Sequence, residues 1–376
     1  MLTPLSAQQS PTNSQSLSAG SLLVFVSAFA KGEEGAVWSL RLNLRTGQLE
    51  KIRSNDSVSQ PFFMALSPDQ QRLYCTHAPK SFGSEEPEEV VAFAIENSDG
   101  QLRELNRQST RGTASCYLDV DRAGKTLLVA NYTSGDVASL PIAEDGSLKP
   151  AASFLRHSGT SVDSKRQQEP HAHCIVVSPD GRHVLAADLG IDKVLNYQLD
   201  PATSKLASAE QPFVRTPPGA GPRHLTFHPR GKHVYVIHEL ANTIGVFSYL
   251  PEQGILIERQ VISTLPADAT VTTHTADVKL TPDGRFAYGT NRGHDSLACY
   301  RVAEDGALSL IEIRPSLGKG PQNLAITPDG RWLLCANMPG NNVVVFAIDG
   351  ESGRLREVGE PLAIPMPSCI MLRTKQ

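Results

Sequence analysis

Residues 171–188 read HAHCIVVSPDGRHVLAAD, two short apolar stretches on either side of the turn SPDG. Proline presets φ early in such a turn and glycine accepts positive φ near its end, so the stretch predicts a tight antiparallel hairpin. Five other segments repeat this pattern: 61–77, 113–131, 222–239, 274–292 and 321–337. Hairpins that recur about every 45–60 residues are typical of a repeat architecture.

A third and a fourth strand follow most of the hairpins, as in KVLNYQLD at 193–200 and NVVVFAID at 342–349. Four strands per repeat is the pattern of a β-propeller blade. Helical periodicity is almost absent from the chain.

The two ends of the chain complete one further blade. Residues 21–52 contain three strands and lack the first one, while PSCIMLR at 367–373 matches the first strand of the other repeats. We therefore predict an all-β, seven-bladed β-propeller with four antiparallel strands per blade, closed by a C-terminal strand that joins the N-terminal blade. Residues 21–376 would form this single domain, preceded by a disordered tail at 1–20.

Composition excludes several classes of function. A net charge of −4 gives no electrostatic argument for a nucleic acid or membrane partner. The longest apolar run, 22–26, is too short to cross a bilayer, and the first twenty residues do not resemble a secretory signal. The six cysteines form no CxxC pair, which favours reduced, buried thiols over a zinc site. We expect a cytoplasmic protein without metal or cofactor; no oligomeric state follows.

The repeat allows residues to be compared position by position. Six residues before the turn proline, with Val120 taken as its counterpart in the third blade, stand Phe62, Ala114, His173, Arg223, Ala276, Gln322 and Ser368. Eight residues after the turn glycine or its counterpart stand Ala78, Tyr132, Leu189, Glu239, Arg292 and Met338. Both positions fall at one rim of the central channel. His173, Arg223, Glu239 and Arg292 should therefore converge there from three successive blades.

This combination of side chains suits a small anion. Arginine makes bidentate contacts to carboxylate or phosphate, histidine transfers protons near neutral pH, and a glutamate between arginines stays ionised. His171 is a second candidate for the catalytic histidine. The candidate substrate-binding residues around the set are His224, His238, Asn291 and His294. A polar insertion at 156–169 reaches the same rim, where it would either cover the site or form a mobile surface loop.

The motifs EPHAH (169–173), GPRH (221–224), HEL (238–240) and TNRGHDS (290–296) together resemble the seven-bladed lactonase family. That family includes bacterial 6-phosphogluconolactonases and fungal carboxy-cis,cis-muconate cyclase. The resemblance implies a metal-independent site at the channel mouth. It places one histidine, two arginines and one glutamate on His171 or His173, Arg223, Arg292 and Glu239.

Three functions are consistent with these observations. We expect a lactonase acting on 6-phosphogluconolactone or a related small anionic lactone, with His173 or Glu239 activating water and Arg223 and Arg292 holding the phosphate or the carbonyl oxygen. A carboxymuconate-lactonising cycloisomerase is the second possibility. A propeller that binds partners without catalysis is the third, because propellers have many functions.

Overall fold

The computed structural model describes residues 20–30 and 34–374, so the predicted tail lies outside the described residues except for Gly20. The described residues form seven antiparallel sheets of four strands each. The prediction of a seven-bladed β-propeller is confirmed. In the described ranges, no helix has the length and apolar character needed to cross a membrane.

The strands of each blade are given from the channel outwards. Blade 1 contains β28 (Pro367–Arg373), β1 (Ser21–Ala28), β2 (Ala36–Asn43) and β3 (Leu49–Asn55). Blade 2 contains β4 (Met64–Leu66), β5 (Arg72–His77), β6 (Glu89–Ile95) and β7 (Leu102–Ser109). Blade 3 contains β8 (Ser115–Val120), β9 (Thr126–Asn131), β10 (Asp136–Pro141) and β11 (Ser153–Arg156).

The remaining blades follow the same order. Blade 4 contains β12 (Ala172–Val177), β13 (His183–Asp188), β14 (Lys193–Asp200) and β15 (Lys205–Arg215), with a 3-10 turn at Leu189–Ile191. Blade 5 contains β16 (Pro222–Phe227), β17 (His233–His238), β18 (Thr243–Leu250) and β19 (Ile255–Ser263). Blade 6 contains β20 (His274–Leu280), β21 (Phe286–Arg292), β22 (Ser296–Val302) and β23 (Leu308–Pro315). Blade 7 contains β24 (Pro321–Ile326), β25 (Trp332–Asn337), β26 (Asn342–Ile348) and β27 (Leu355–Ala363).

Blade 1 closes the ring as the chain ends predicted. β28 pairs with β1 in antiparallel register from Leu23 opposite Arg373 to Ser27 opposite Cys369. All eight residues of β1 are buried. The innermost strands of neighbouring blades contact one another all the way round, including β28 with β4 and with β24. Closure therefore pairs β1 on both of its edges, with β28 and with β2.

Neighbouring blades are tied by buried tyrosines. The hydroxyl of Tyr74 in blade 2 donates to the carbonyl of Gly146 in blade 3, at 3.1 Å. Tyr288 in blade 6 makes the same bond to Gly353 in blade 7, at 2.9 Å. A buried tyrosine needs such a partner for its hydroxyl, so each bond also sets the spacing between two blades. All six cysteines are buried and free, as predicted.

A β-bulge directs Arg223 away from the regular pairing of its sheet. Pro222 pairs with His238 and His224 pairs with Ile237, which leaves Arg223 without a partner residue. The extra residue of a bulge re-aims its side chain and bends the strand. Blade 5 thereby turns an arginine into the channel at the point where β16 begins.

The same bulge recurs at His173 in blade 4 and Gln322 in blade 7, which supports the predicted register. In blade 3 the bulged residue is Cys116, so the predicted counterpart, Ala114, is wrong by two residues. Gly124 follows Cys116 by eight residues, as Gly181 follows His173, so Arg122 and not Val120 is the counterpart of the turn proline. Cys116 is a buried, uncharged side chain, and the two ionisable residues at this position remain His173 and Arg223.

A chain that ends before Pro367 should lose the closed ring, because the buried β1 would become an exposed edge strand. We expect loss of the cooperative thermal transition and aggregation on size-exclusion chromatography. A chain that ends at Arg373 keeps all of β28 and serves as the control. An unfolding midpoint equal to wild type in the shorter chain would contradict this account of closure.

Candidate active site

Glu239 occupies the rim of the channel directly after β17. Its amide donates to the carbonyl of Gly221 at 2.7 Å, which connects the HEL and GPRH motifs. Gly221 has φ of 65°, and a Cβ placed there would lie 2.6 Å from Cγ of Leu240. Glycine is the residue that fits this conformation and this close contact.

Three arginines surround the Glu239 carboxylate. Oε2 accepts from Nε of Arg223 at 2.9 Å and pairs with Nη2 of Arg292 at 2.8 Å, while Oε1 accepts from Nη2 of Arg166 at 2.8 Å. Burial alone would raise the pKa of Glu239, but the charges of Arg292, Arg223 and Arg166 outweigh it and hold the pKa well below its usual range. The carboxylate is therefore ionised at neutral pH.

Arg223 is buried and donates hydrogen bonds to three neighbouring residues. Its side chain is 1% exposed, and its Nη1 donates to the carbonyl of Ala276 at 2.5 Å and to Nε2 of His224 at 3.1 Å. Burial and the neighbouring Arg292 lower the pKa of Arg223 to about 10, so it stays charged at neutral pH. Its role in this arrangement is to hold Glu239.

His224 links Arg223 to a buried aspartate. An arginine N–H can only donate, so Nε2 of His224 accepts and its proton lies on Nδ1, which donates to Oδ1 of Asp277 at 2.9 Å. Burial and Arg223 lower the pKa of His224 to about 3, so the ring is neutral. Asp277 also accepts from Nζ of Lys279 at 3.1 Å and from Nδ2 of Asn323 at 2.8 Å.

The two candidate catalytic histidines have different surroundings. The ring of His173 lies 5.3 Å from those of Tyr132 and His224, and its Nδ1 is 3.7 Å from Sγ of Cys116. Burial holds the pKa of His173 well below its ordinary value. His171 stacks on Tyr132 at 4.5 Å, with its Nδ1 3.1 Å from the Tyr132 carbonyl oxygen.

Three predicted binding residues do not join the arginine cluster. Nδ1 of His238 bonds to the hydroxyl of Thr243 within blade 5 at 2.8 Å. Asn291 and His294 both bond to the hydroxyl of Ser296 within blade 6, at 3.1 and 2.7 Å. Asn291 also donates to the carbonyl of Thr264, in the connection from blade 5, at 2.8 Å, so all three side chains bond to groups away from Glu239. His224 lies beneath Arg223. Fewer of the predicted residues therefore surround Glu239 at the channel rim than the sequence suggested.

A pocket of about 540 Å³ opens beside Glu239. It is lined by Arg166, Glu239, Thr272, His274, Arg292, Gly293, Asp295, Lys319, Gly320, Gln322, Met338 and Pro339. Three cationic side chains and two carboxylates face it, and the guanidinium of Arg223 lies beneath. The resulting excess of positive charge favours a small anionic ligand.

A second cavity, of about 640 Å³, lies around the other ends of the inner strands. Its walls are mainly apolar, with Leu66 and Met371 among them, and Asp119, Arg122 and Lys279 carry its charges. No arginine–glutamate cluster faces it, so the candidate active site is the pocket at Glu239.

A family model described as "Lactonase, 7-bladed beta-propeller" matches residues 23–372. The chain belongs to this family. The 6-phosphogluconolactonase of Bacillus subtilis is 33% identical over 347 residues, covering 92% of this chain and 97% of the relative. The 6-phosphogluconolactonase of Formosa agariphila is 28% identical over 363 residues, covering 93% of this chain and 99% of the relative.

A solved structure agrees with these relatives. The periplasmic gluconolactonase PpgL of Pseudomonas aeruginosa superposes with a TM-score of 0.87 at 30% identity, covering 94% of this chain and 99% of that one. The resemblance to the seven-bladed lactonase family, inferred from four short motifs, is thus confirmed over nearly the whole chain.

His274 and Arg166 line the pocket beside Glu239, and neither was singled out from the sequence. His274 stands eight residues before its turn proline, as His171 does, so the repeat register contained a signal for it. Arg166 lies in the 156–169 insertion, which has no counterpart in the other blades. The sequence placed the insertion at this rim but offered no register to show which of its side chains reaches the site.

Glu239→Gln should destabilise this lactonase by about 3 kcal/mol at neutral pH, because it leaves Arg223 buried without its counter-charge. The folded-state pKa of Glu239 lies below its unfolded value, so the carboxylate contributes fully above about pH 5 and progressively less at lower pH. The difference in unfolding free energy between wild type and variant should therefore shrink from pH 7 to pH 3, as measured by denaturant titration.

Glu252→Gln is the control for that comparison, because Glu252 forms an exposed pair with Arg182 on the surface. Its stability should stay close to wild type at each pH. A Glu239→Gln deficit that does not change with pH would contradict the assignment of an ionised, arginine-paired carboxylate.

Proposed function

We propose that the protein hydrolyses a sugar lactone, and specifically 6-phosphogluconolactone to 6-phosphogluconate. The observation that carries the proposal is the buried Glu239, paired with three arginines beside a positively charged pocket of about 540 Å³. Membership of a lactonase family supports the reaction class. The two curated relatives named as 6-phosphogluconolactonases support the choice of a phosphorylated substrate.

The charge of the pocket suits a phosphorylated lactone. Arg166 and Arg292 are 34% and 26% exposed, so both guanidinium groups can meet a ligand without leaving their loops or strands. Lys319 adds an exposed ammonium group at the mouth. Phosphate oxygens accept charge-assisted hydrogen bonds from such groups.

In the proposed reaction, water adds to the lactone carbonyl carbon and the ring C–O bond breaks, giving a carboxylate and a free hydroxyl. Arg292 is placed to stabilise the developing oxyanion. Its Nη2 is bonded to Glu239 and to the carbonyl of Thr275 at 2.9 Å, whereas its Nη1 has only Gln322 Oε1, at 3.5 Å. Nη1 therefore has capacity to donate to the carbonyl oxygen of the substrate.

Glu239 is the proposed general base, because it is the carboxylate that both lines the pocket and touches the arginines. Neither His171 nor His173 lines that pocket. In this proposal the neutral His173 supports the channel side of the cluster, and His171 supports Tyr132 by stacking. General-base assistance of this kind contributes about 10²–10⁴ in rate.

The proposed compartment is the cytoplasm. Six free, buried cysteines without a disulfide fit a reducing environment. The similar structure from Pseudomonas aeruginosa is named as a periplasmic gluconolactonase, so measuring where this protein resides in the cell is the test of this assignment.

The test is hydrolysis of 6-phosphogluconolactone by the purified protein, measured above the spontaneous rate, with δ-gluconolactone assayed alongside. Arg292→Ala should lower kcat/KM by about 10²–10³, the loss typical of removing one oxyanion donor. Arg285→Ala is the control, because Arg285 is exposed at the other end of the same strand and pairs with Asp283. A folded wild-type protein that leaves both lactones at their spontaneous rates would overturn the proposal.

A further inference from the structure

Arg166 reaches the site on an unusually long connection. Residues 157–171 join the outer strand of blade 3 to the inner strand of blade 4. The six corresponding connections are residues 56–63, 110–114, 216–221, 264–273, 316–320 and 364–366. Only this connection delivers an arginine to Glu239 among the described residues.

The long connection is anchored at both ends by buried polar contacts. Near its start, His157 bonds through Nδ1 to Asp188 at 2.6 Å and through Nε2 to the hydroxyl of Tyr197 at 2.9 Å. Near its end, the fully buried Gln167 donates through Nε2 to Oδ1 of Asp192 at 2.8 Å. These bonds hold the connection against blade 4, with Arg166 next to the second anchor.

Arg166 is bound to the site less firmly than the other two arginines. Its described bonds both use Nη2, to Oε1 of Glu239 at 2.8 Å and to the hydroxyl of Tyr132 at 3.0 Å. Arg223 and Arg292 also bond to backbone carbonyls, of Ala276 and Thr275 respectively. Arg166 is also the most exposed of the three.

The position of Arg166 determines whether Oε1 of Glu239 can accept a proton. Arg223 and Arg292 both bond to Oε2, so Oε1 is the oxygen that faces a water or substrate, and Arg166 occupies it. A carboxylate held in an ion pair is a weak base, because the pair stabilises its ionised form. A base in this position gains strength when Arg166 withdraws.

We propose that Arg166 binds the anionic group of the substrate and, in doing so, leaves Oε1 of Glu239 free to accept a proton from water. The inference rests on the proposed lactonase function and adds a residue that selects for a phosphorylated lactone. The dianionic phosphate offers a guanidinium two acceptor oxygens in place of one carboxylate oxygen. The ion pair with Glu239 thus holds Arg166 ready while the pocket is empty of substrate.

The experiment compares Arg166→Gln with Lys165→Ala on 6-phosphogluconolactone and on uncharged δ-gluconolactone. Lys165 is the exposed neighbour on the same loop, so its variant removes the same charge without touching Glu239. We expect Arg166→Gln to lower kcat/KM for the phosphorylated lactone about 10- to 100-fold, mainly through KM, as expected for loss of a charge-assisted contact. Its activity on δ-gluconolactone should be unchanged or higher than wild type, because this lactone has no phosphate to draw Arg166 away from Oε1 of Glu239. Lys165→Ala should match wild type on both lactones.

Several results would overturn the inference while leaving the lactonase function intact. Equal losses on both lactones would mean that Arg166 acts only through Glu239, and no loss on either would mean that it has no role. A Lys165→Ala variant with the same selective loss would reduce the effect to general loop charge. If Arg166→Gln does not fold, Arg166→Lys keeps the charge but not the bidentate geometry, and a selective KM increase is still expected. A wild type inactive on both lactones would remove the proposed function and this inference together.

Discussion

The antiparallel pairing of β28 with β1 closes the ring, and the geometry of the site depends on that closure. A closed ring fixes seven inner strands around one axis, so the starts of those strands meet at one channel mouth. A recurring bulge at these starts turns single residues out of the sheet register and toward the channel. In blades 4 and 5 those residues are His173 and Arg223, and blade 6 adds Arg292 at the end of its second strand.

Removing the charges around Glu239 from water costs folding free energy, so the stability of the fold does not by itself account for this cluster. Burying an ion pair removes both charges from water, and a well-packed apolar group is often as stabilising. Here one carboxylate is matched by a buried Arg223 and by two partly exposed arginines. The buried member and the His224–Asp277 pair beneath it hold the geometry, while the exposed members face the pocket. This division between a fixed interior and an accessible rim is what a site for a small anion requires.

The 157–171 connection brings the third arginine, and it does so as an ordered element. Buried bonds at His157 and Gln167 hold its two ends against blade 4. Its local backbone is also closed on itself, since Asp163 accepts from the amides of Lys165 and Arg166. Loops between blades tolerate insertion because they lie at the rim, which is also where a ligand enters.

The sequence by itself determined the seven-bladed fold, its closure by the C-terminal strand and the family, because hairpin turns and strand periodicity are local and repeat along the chain. The repeat register also brought Arg223, Glu239 and Arg292 to one rim, since one blade predicts the next. The prediction failed in blade 3, where the turn has no proline and Val120 was taken as its counterpart in place of Arg122, so Ala114 was named instead of Cys116. It also could not tell that His238, Asn291 and His294 bond to groups away from Glu239, because strand position does not fix which neighbour a polar side chain finds. Only the tertiary structure decided that Arg166 reaches Oε1 of Glu239, because the path of a unique connection depends on its long-range contacts with Asp188, Asp192 and Tyr197.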